Sequence, residues 1–83
     1  MKTIRLNGSN EICRSVEKSL DEYFRRLDGE HPHGIYDMVI SHVERTLLAS
    51  VMQRANGNQT QAADMLGVNR NTLRSKLNKY GIR

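Results

Sequence analysis

Residues 57–81 have the sequence GNQTQAADMLGVNRNTLRSKLNKYG, in which one glycine separates two short runs at helical spacing. Asn58 is suited to cap the first run, and Gln61 three residues later can complete a capping box. Gly67 ends the first run at a position that favours a left-handed backbone, and Asn69 caps the second run. Two short helices joined by a turn containing glycine are typical of a helix-turn-helix.

Each run also has an apolar side that predicts an inner face. In the first run, small side chains allow the second helix to cross at close range, and a valine after the glycine is expected to fill the corner. The predicted inner positions are Ala62, Ala63, Met65 and Leu66 in the first run, Val68 at the corner, and Leu73, Leu77 and Tyr80 in the second.

The other positions of the second run are polar or cationic and fall opposite its leucines: Arg70, Asn71, Arg74, Ser75, Asn78 and Lys79. A DNA major groove admits one helix, and arginine is the natural bidentate reader of guanine. The first turn, Asn69 to Thr72, presents side chains and free amide groups to bases and phosphates. The second run is therefore predicted to be a recognition helix, against the alternative of an ordinary solvated face.

Positive charge is concentrated in the same part of the chain. From Arg54 to the end there are six bases and one acid, Asp64, whereas the whole chain carries +4 and has a pI of about 9.6. The portion before Arg54 is therefore slightly acidic. This distribution indicates an acidic partner for the carboxy-terminal third, and duplex DNA is the predicted one.

Two further helices are predicted before this segment. Asn10 can cap the first, whose apolar positions recur at three and four until about Asp28. Before it, residues 1–9 form a short arm in which residues 3–6 alternate weakly, as in a strand, or are frayed. The apolar positions of this first helix are Ile12, Val16, Leu20, Tyr23, Phe24 and Leu27.

The second helix, about Ile35 to Arg54, has apolar residues around more than half of its circumference. A helix of this kind must be covered on more than one side, and one short chain offers too little cover. A second copy of the chain, related by a two-fold axis, is the simplest cover; a groove for a helix of another protein is the alternative. The predicted dimer interface consists of Leu20, Val39, Val43, Leu47 and Val51.

Length and composition limit the other classes of protein. The 83 residues suffice for one domain, and no apolar run approaches the roughly 20 residues that a membrane span needs. The single cysteine, Cys13, is expected to be a small core residue, and the chain to be cytosolic. The histidines of residues 31–33 are expected to be turn residues. We predict no metal site, no cofactor and no catalytic group.

At this point a family resemblance is clear. GNQTQAADMLGVNRNTLRSKLNKYGI resembles the carboxy-terminal motif of the Fis family, the bacterial factors for inversion stimulation, and that of the DNA-binding domains ending NtrC-type activators. The preceding SVEKSLDEYFRRLDG and IYDMVISHVERTLLASVMQ resemble the first two Fis helices. The resemblance runs from about Ile12 to the end, and the match of these two preceding helices favours Fis over an activator, in which an ATPase domain would be expected upstream.

The resemblance implies an all-α domain over residues 1–83, with an intertwined homodimer core at residues 10–55 and a helix-turn-helix at residues 57–83. Two recognition helices closer than one turn of straight DNA, about 34 Å, would have to bend the duplex. The implied role is transcription regulation and nucleoid organisation in the bacterial cytoplasm. A detached activator domain and a helical adaptor for another protein are the alternatives.

The resemblance also assigns DNA contacts. It implies that Arg70 contacts a guanine and Asn69 an adjacent base, and that Lys79 adds charge near the backbone. Ser75 and Asn78 stand where family members carry cations, so contacts there should be weaker. The residues implied to hold phosphates are Asn58, Gln59, Thr60, Thr72, Arg74 and Lys76.

Protein partners are implied as well, namely RNA polymerase or a site-specific recombinase. Some members of the family touch a DNA invertase through a β-hairpin near the amino terminus. The arm before Asn10 is too short for the full hairpin. This departure argues against recombinase activation, whereas it affects DNA bending and the transcriptional or nucleoid roles less.

Overall fold

A computed structural model describes residues 10–83 of the chain. Within this range the backbone forms four α-helices and no strand: α1 (Glu11–Leu27), α2 (Ile35–Arg54), α3 (Gln59–Leu66) and α4 (Arg70–Tyr80). The all-α prediction is confirmed. The possible strand at residues 3–6 lies outside the described part. None of the described helices has the length and apolar character to cross a membrane.

The chain divides into two compact units, the first ending at Ile35 and the second comprising Tyr36–Arg83. The first unit holds α1 and the loop after it. The second holds α2, apart from its first residue, together with α3 and α4. That all 83 residues act as one domain stays a prediction.

Helix α1 begins and ends as its sequence predicts. The Asn10 side-chain oxygen accepts a hydrogen bond from the Cys13 amide at 3.0 Å, and Asp28 ends the helix in the left-handed conformation. In the following loop, the backbone of His33 is within 3.3–3.4 Å of the Tyr23 hydroxyl group. Cys13 itself is exposed on the first turn of the helix, so its assignment to a core is wrong for the described part of the single chain.

The core of the second unit lies where the carboxy-terminal half of α2 meets α3 and α4. Leu73 and Leu77 are its largest fully buried side chains, and burying a leucine contributes about 1.5–3 kcal/mol. Both leucines of α4 and both alanines of α3 are buried, as the sequence predicts. The buried residues are Leu48, Met52 and Ala55 before α3, Ala62 and Ala63 on α3, and Leu73 and Leu77 on α4.

Two predicted inner residues are exposed instead. Met65 is 50% exposed and Val68 is 40% exposed. Met65 comes two residues after the buried Ala63, which turns its side chain by about 200° at 3.6 residues per turn. Val68 lies beyond the end of α3, in the turn. The core is therefore thinner than the apolar pattern predicts.

The turn between α3 and α4 is fixed by backbone hydrogen bonds. Gly67 has φ +74°, its amide donates to the Asp64 carbonyl at 3.2 Å, and the Val68 amide donates to the Ala63 carbonyl at 3.0 Å. This pair of bonds is the Schellman arrangement, which satisfies carbonyls that the end of a helix leaves free. The predicted left-handed conformation of Gly67 is confirmed.

The amino ends of α3 and α4 are capped by asparagines. The Asn58 side chain accepts from the Gln61 amide at 3.0 Å, and the Asn69 side chain accepts from the Asn71 amide at 2.7 Å. The amide of Asn58 donates to the Ala55 carbonyl at 3.0 Å, so Gln61 does not close the predicted capping box. Both predicted caps are present, and one half of the box is replaced by the preceding turn.

Replacing Gly67 by alanine should destabilise the second unit by about 1 kcal/mol, because a side chain is strained in the left-handed region. An added Cβ would meet no atom within 4 Å, so strain in the backbone is the only expected cost. Chemical denaturation measures the loss. Gly67→Asn is the matched control and should lose less, since asparagine tolerates this conformation; equal losses in both variants would contradict the explanation.

Candidate nucleic-acid interface

The exposed surface of α4 carries most of the predicted DNA contacts. Leu73 and Leu77 turn one side of this helix into the core and leave its other sides to solvent. The remaining positions are the helix caps Asn58 and Asn69, and Gln59 and Thr60 in the first turn of α3. The exposed predicted contacts are Asn58, Gln59, Thr60, Asn69, Arg70, Thr72, Arg74 and Lys79.

A side-chain hydrogen bond joins the amino-terminal turns of the two helices. An Arg70 guanidinium nitrogen donates to the Thr60 hydroxyl oxygen at 3.3 Å. The Thr60 hydroxyl group accepts in this bond and keeps its own proton for another acceptor, such as a phosphate oxygen. The structure thus brings the predicted base reader next to a predicted phosphate contact that lies ten residues earlier, on the preceding helix.

Lys76 is placed differently from the other predicted contacts. Its ammonium nitrogen lies 2.8 Å from a Glu44 carboxylate oxygen of α2. The Lys76 side chain is 39% exposed and the Glu44 side chain 23% exposed. The sequence predicts Lys76 as a phosphate contact; in the structure its charge already has a partner.

Tyr80 binds the same carboxylate. Its hydroxyl group donates to the other Glu44 oxygen at 2.5 Å, and we name the group of Glu44, Lys76 and Tyr80 the Glu44 clamp. Cations also lie over the Tyr80 ring, with the Arg45 guanidinium carbon 5.6 Å and the Lys79 ammonium nitrogen 5.3 Å from its centroid. The clamp holds the carboxy-terminal half of α4 against α2.

Sequence reasoning missed this clamp. Lys76 and Tyr80 are four residues apart and flank Leu77, so their spacing places both near the side of α4 that packs on another helix. That spacing was the available signal. Nothing comparable marks Glu44, which precedes Tyr80 by 36 residues.

The clamp shifts two pKa values in opposite directions. Hydrogen bonds from Lys76 and then Tyr80 stabilise the carboxylate and hold the pKa of Glu44 below its ordinary value of 4.5. The hydrogen bond to Glu44 raises the pKa of Tyr80, because the neutral phenol is the donor. Each shift means that the charged Glu44 and the protonated Tyr80 are stabilised by the fold.

The paired asparagine caps, the left-handed glycine and the basic exposed side of α4 define a helix-turn-helix DNA-binding protein. The chain belongs to the Fis family. A model of that family, described as "Bacterial regulatory protein, Fis family", matches residues 40–80. Membership also agrees with the expectation that the protein is not an enzyme, since this family consists of DNA-binding regulators.

Several relatives match over most of their own length. A Fis-like DNA-binding protein of Ralstonia nicotianae is 55% identical over 73 residues, which cover 88% of this chain and 95% of that protein. One from Neisseria meningitidis serogroup A is 47% identical, over 87% of this chain and 91% of the relative. The DNA-binding protein Fis of Actinobacillus succinogenes is 56% identical, over 93% and 83% respectively. The resemblance inferred from the motifs is confirmed.

The stability that the clamp contributes should depend on pH. Because the folded-state pKa of Glu44 is lowered, its contribution is complete above the ordinary pKa of 4.5 and is lost as the pH falls through the lower folded value. At neutral pH, the free energy of unfolding of the wild type should therefore exceed that of Glu44→Gln by about 1 kcal/mol or less, which is the range for a partly exposed ion pair. Below about pH 4.5, the difference should shrink.

Thermal unfolding at a series of pH values measures this difference. Asp64→Asn is the matched control, since Asp64 is exposed on α3 and has no ion pair within residues 10–83. Its effect at neutral pH should be smaller than that of Glu44→Gln. A Glu44→Gln difference that stayed constant from neutral to strongly acid pH would show that the carboxylate charge contributes nothing.

Proposed function

We propose that the protein acts as a homodimer that binds and bends duplex DNA, in transcription regulation and nucleoid organisation within the bacterial cytoplasm. The observation that carries this proposal is an apolar stripe on α2 that stays exposed in the single chain. DNA binding itself follows from membership of the family.

The stripe consists of Tyr36, Ile40, Val43 and Leu47, at successive spacings of four, three and four residues. These side chains are 78%, 41%, 42% and 49% exposed. A row of large apolar side chains at this spacing lies along one side of a helix and is typical of a helix-packing surface. Water is an unfavourable neighbour for such a row, which favours association.

The stripe is separate from the side of α2 that serves the helix-turn-helix. Leu48 and Met52 are buried in the core with α3 and α4, whereas Val43 is five residues before Leu48 and about 140° around the helix. The same helix can therefore pack on α4 and on a second copy at once. The residues proposed for the dimer interface are Leu20, Val39, Val43, Leu47 and Val51. Of these, Val51 lies at the border of the two sides, because it also packs against the core.

A second copy related by a two-fold axis would present two α4 helices to one duplex. We propose that each α4 enters a major groove, that Arg70 reads guanine and that Asn69 contacts the neighbouring base. Contacts to the backbone would come from Asn58, Gln59, Thr60, Thr72, Arg74, Lys76 and Lys79. The exposure of all but Lys76 and the cap geometry at Asn58 and Asn69 support these roles.

Bending of the duplex is a separate part of the proposal. The resemblance to Fis implies that the two recognition helices are closer than the roughly 34 Å between successive major grooves on one side of straight DNA. A rigid dimer of that kind must deform the duplex, so the choice of site depends largely on deformability.

Dimerisation and bending should fail together in Val43→Lys, because an ammonium group would have to enter an apolar interface. Wild type should sediment as a dimer, and its complexes with circularly permuted fragments should migrate differently according to the position of the site. Val43→Lys should sediment as a monomer and produce no such variation. A wild-type chain that sediments as a monomer, or leaves DNA straight, would contradict the proposal.

Ala49→Lys is the matched control for this substitution. Ala49 is also exposed on α2. It follows Val43 by six residues and therefore lies about 120° away around the helix. The same new charge there should leave the dimer intact. Loss of the dimer in both variants would mean that added charge, and not the stripe, decides association.

Two DNA targets are compared: a site that the wild-type protein selects from random duplexes, and unselected DNA. Arg70→Ala should weaken binding to both, and the loss of binding free energy should be about 1–3 kcal/mol larger for the selected site. The reason is that a base contact is lost only where a guanine is read. Arg74→Ala, which removes a proposed phosphate contact, should weaken both alike. Equilibrium titrations at one fixed salt concentration give the ratio of the affinity for the selected site to the affinity for unselected DNA. The same ratio in both variants would contradict the base-reading role of Arg70.

A further inference from the structure

The Glu44 clamp contains the one ion pair among the described residues, and it involves a cation of the recognition helix. Both Glu44 oxygens are used, one by the Lys76 ammonium group at 2.8 Å and one by the Tyr80 hydroxyl group at 2.5 Å. A carboxylate that accepts from an ammonium and a hydroxyl group offers them the same chemistry as a phosphate oxygen. Glu44 thus forms with Lys76 the kind of ion pair that a phosphate group of the DNA backbone would form.

The pair is also open to exchange. The Lys76 side chain is 39% exposed and Glu44 is 23% exposed, so an incoming anion can reach the ammonium group without unfolding the core. Ion pairs at such exposure contribute little to stability, because water and salt screen them. A DNA phosphate, with its own counterion release, can compete with an internal partner of that strength.

We propose that Glu44 is an internal competitor of the DNA backbone for Lys76 and thereby lowers the sequence-independent affinity of the recognition helix. In the free protein the carboxylate holds Lys76 along α2. On DNA the ammonium group is shared with a phosphate, and Glu44 offsets part of the gain. Arg74 and Lys79 have no ion pair within residues 10–83, so no described carboxylate contacts their charge directly.

This proposal rests on the proposed approach of Lys76 to the backbone, but not on dimerisation or bending. It concerns random duplex, where base reading plays no part. Its failure is therefore distinguishable from failure of the proposed function, which is tested by sedimentation, by the mobility of permuted fragments and by the selected-site ratio of Arg70→Ala.

The test removes the Glu44 charge in two backgrounds and measures affinity for a random duplex between 50 and 200 mM salt. Glu44→Gln keeps the size of the side chain and its ability to accept from Tyr80. With Lys76 present, it should tighten binding at low salt and steepen the slope of log K against log salt by up to about 0.9 per chain. That slope corresponds to an additional loss of about 3.5-fold over this salt range.

In the Lys76→Met background, the same Glu44→Gln substitution should leave the slope unchanged, because no ammonium group remains to be released. Equal effects in both backgrounds would overturn the proposal and show that Glu44 acts only through its general repulsion of DNA. No effect in either background would overturn it as well. Thermal unfolding of each variant confirms that folded protein is compared.

A measurement on the unmodified chain keeps the proposal falsifiable if Glu44→Gln does not fold. Lysine acetylation, followed by mass spectrometry, should modify Lys76 more slowly than Lys79 in the free protein, because Lys76 is paired. Bound random duplex should protect Lys76 further, whereas Lys18 on α1 is the control and should keep its rate. Equal rates for Lys76 and Lys79 in the free protein, or no protection of Lys76 by DNA, would overturn the proposal.

Discussion

The second unit is organised around α2. This helix buries Leu48 and Met52 against α3 and α4, and about 140° around its circumference it leaves Val43 and Leu47 exposed. A rigid helix with two apolar sides ties the orientation of α4 to the surface on which a second copy is proposed to pack. Small chains bury little surface alone, which gives the uncovered side its importance.

The helix ends could be predicted from the sequence because their causes are local. Asn10, Asn58 and Asn69 cap helices within three residues of themselves, and Gly67 and Gly81 adopt the left-handed conformation that ends α3 and α4. A cap or a left-handed glycine depends on neighbouring residues, and those neighbours are visible in the sequence. The bounds of α1, α3 and α4 follow from such signals.

Burial was harder to predict, because it depends on how far a neighbouring helix extends. Met65 and Val68 belong to an apolar pattern, yet the core that α4 and α2 provide does not reach them. The candidate site shows the same division. Exposure of Arg70 and Arg74 follows from their spacing relative to the leucines, whereas the pairing of Lys76 with Glu44 joins residues on different helices and has no local sign.

The continuity of α2 has a consequence for sequence change in this part of the chain. Between Val43 and Leu48 an inserted or deleted residue would turn one apolar side against the other by about 100° and move it by about 1.5 Å. The surface proposed to contact DNA would then be out of phase with the surface proposed for the second copy, even though every side chain of both was kept. A substitution in this stretch changes the contacts of one side chain, whereas a change of length by one residue shifts every contact on one side of the helix.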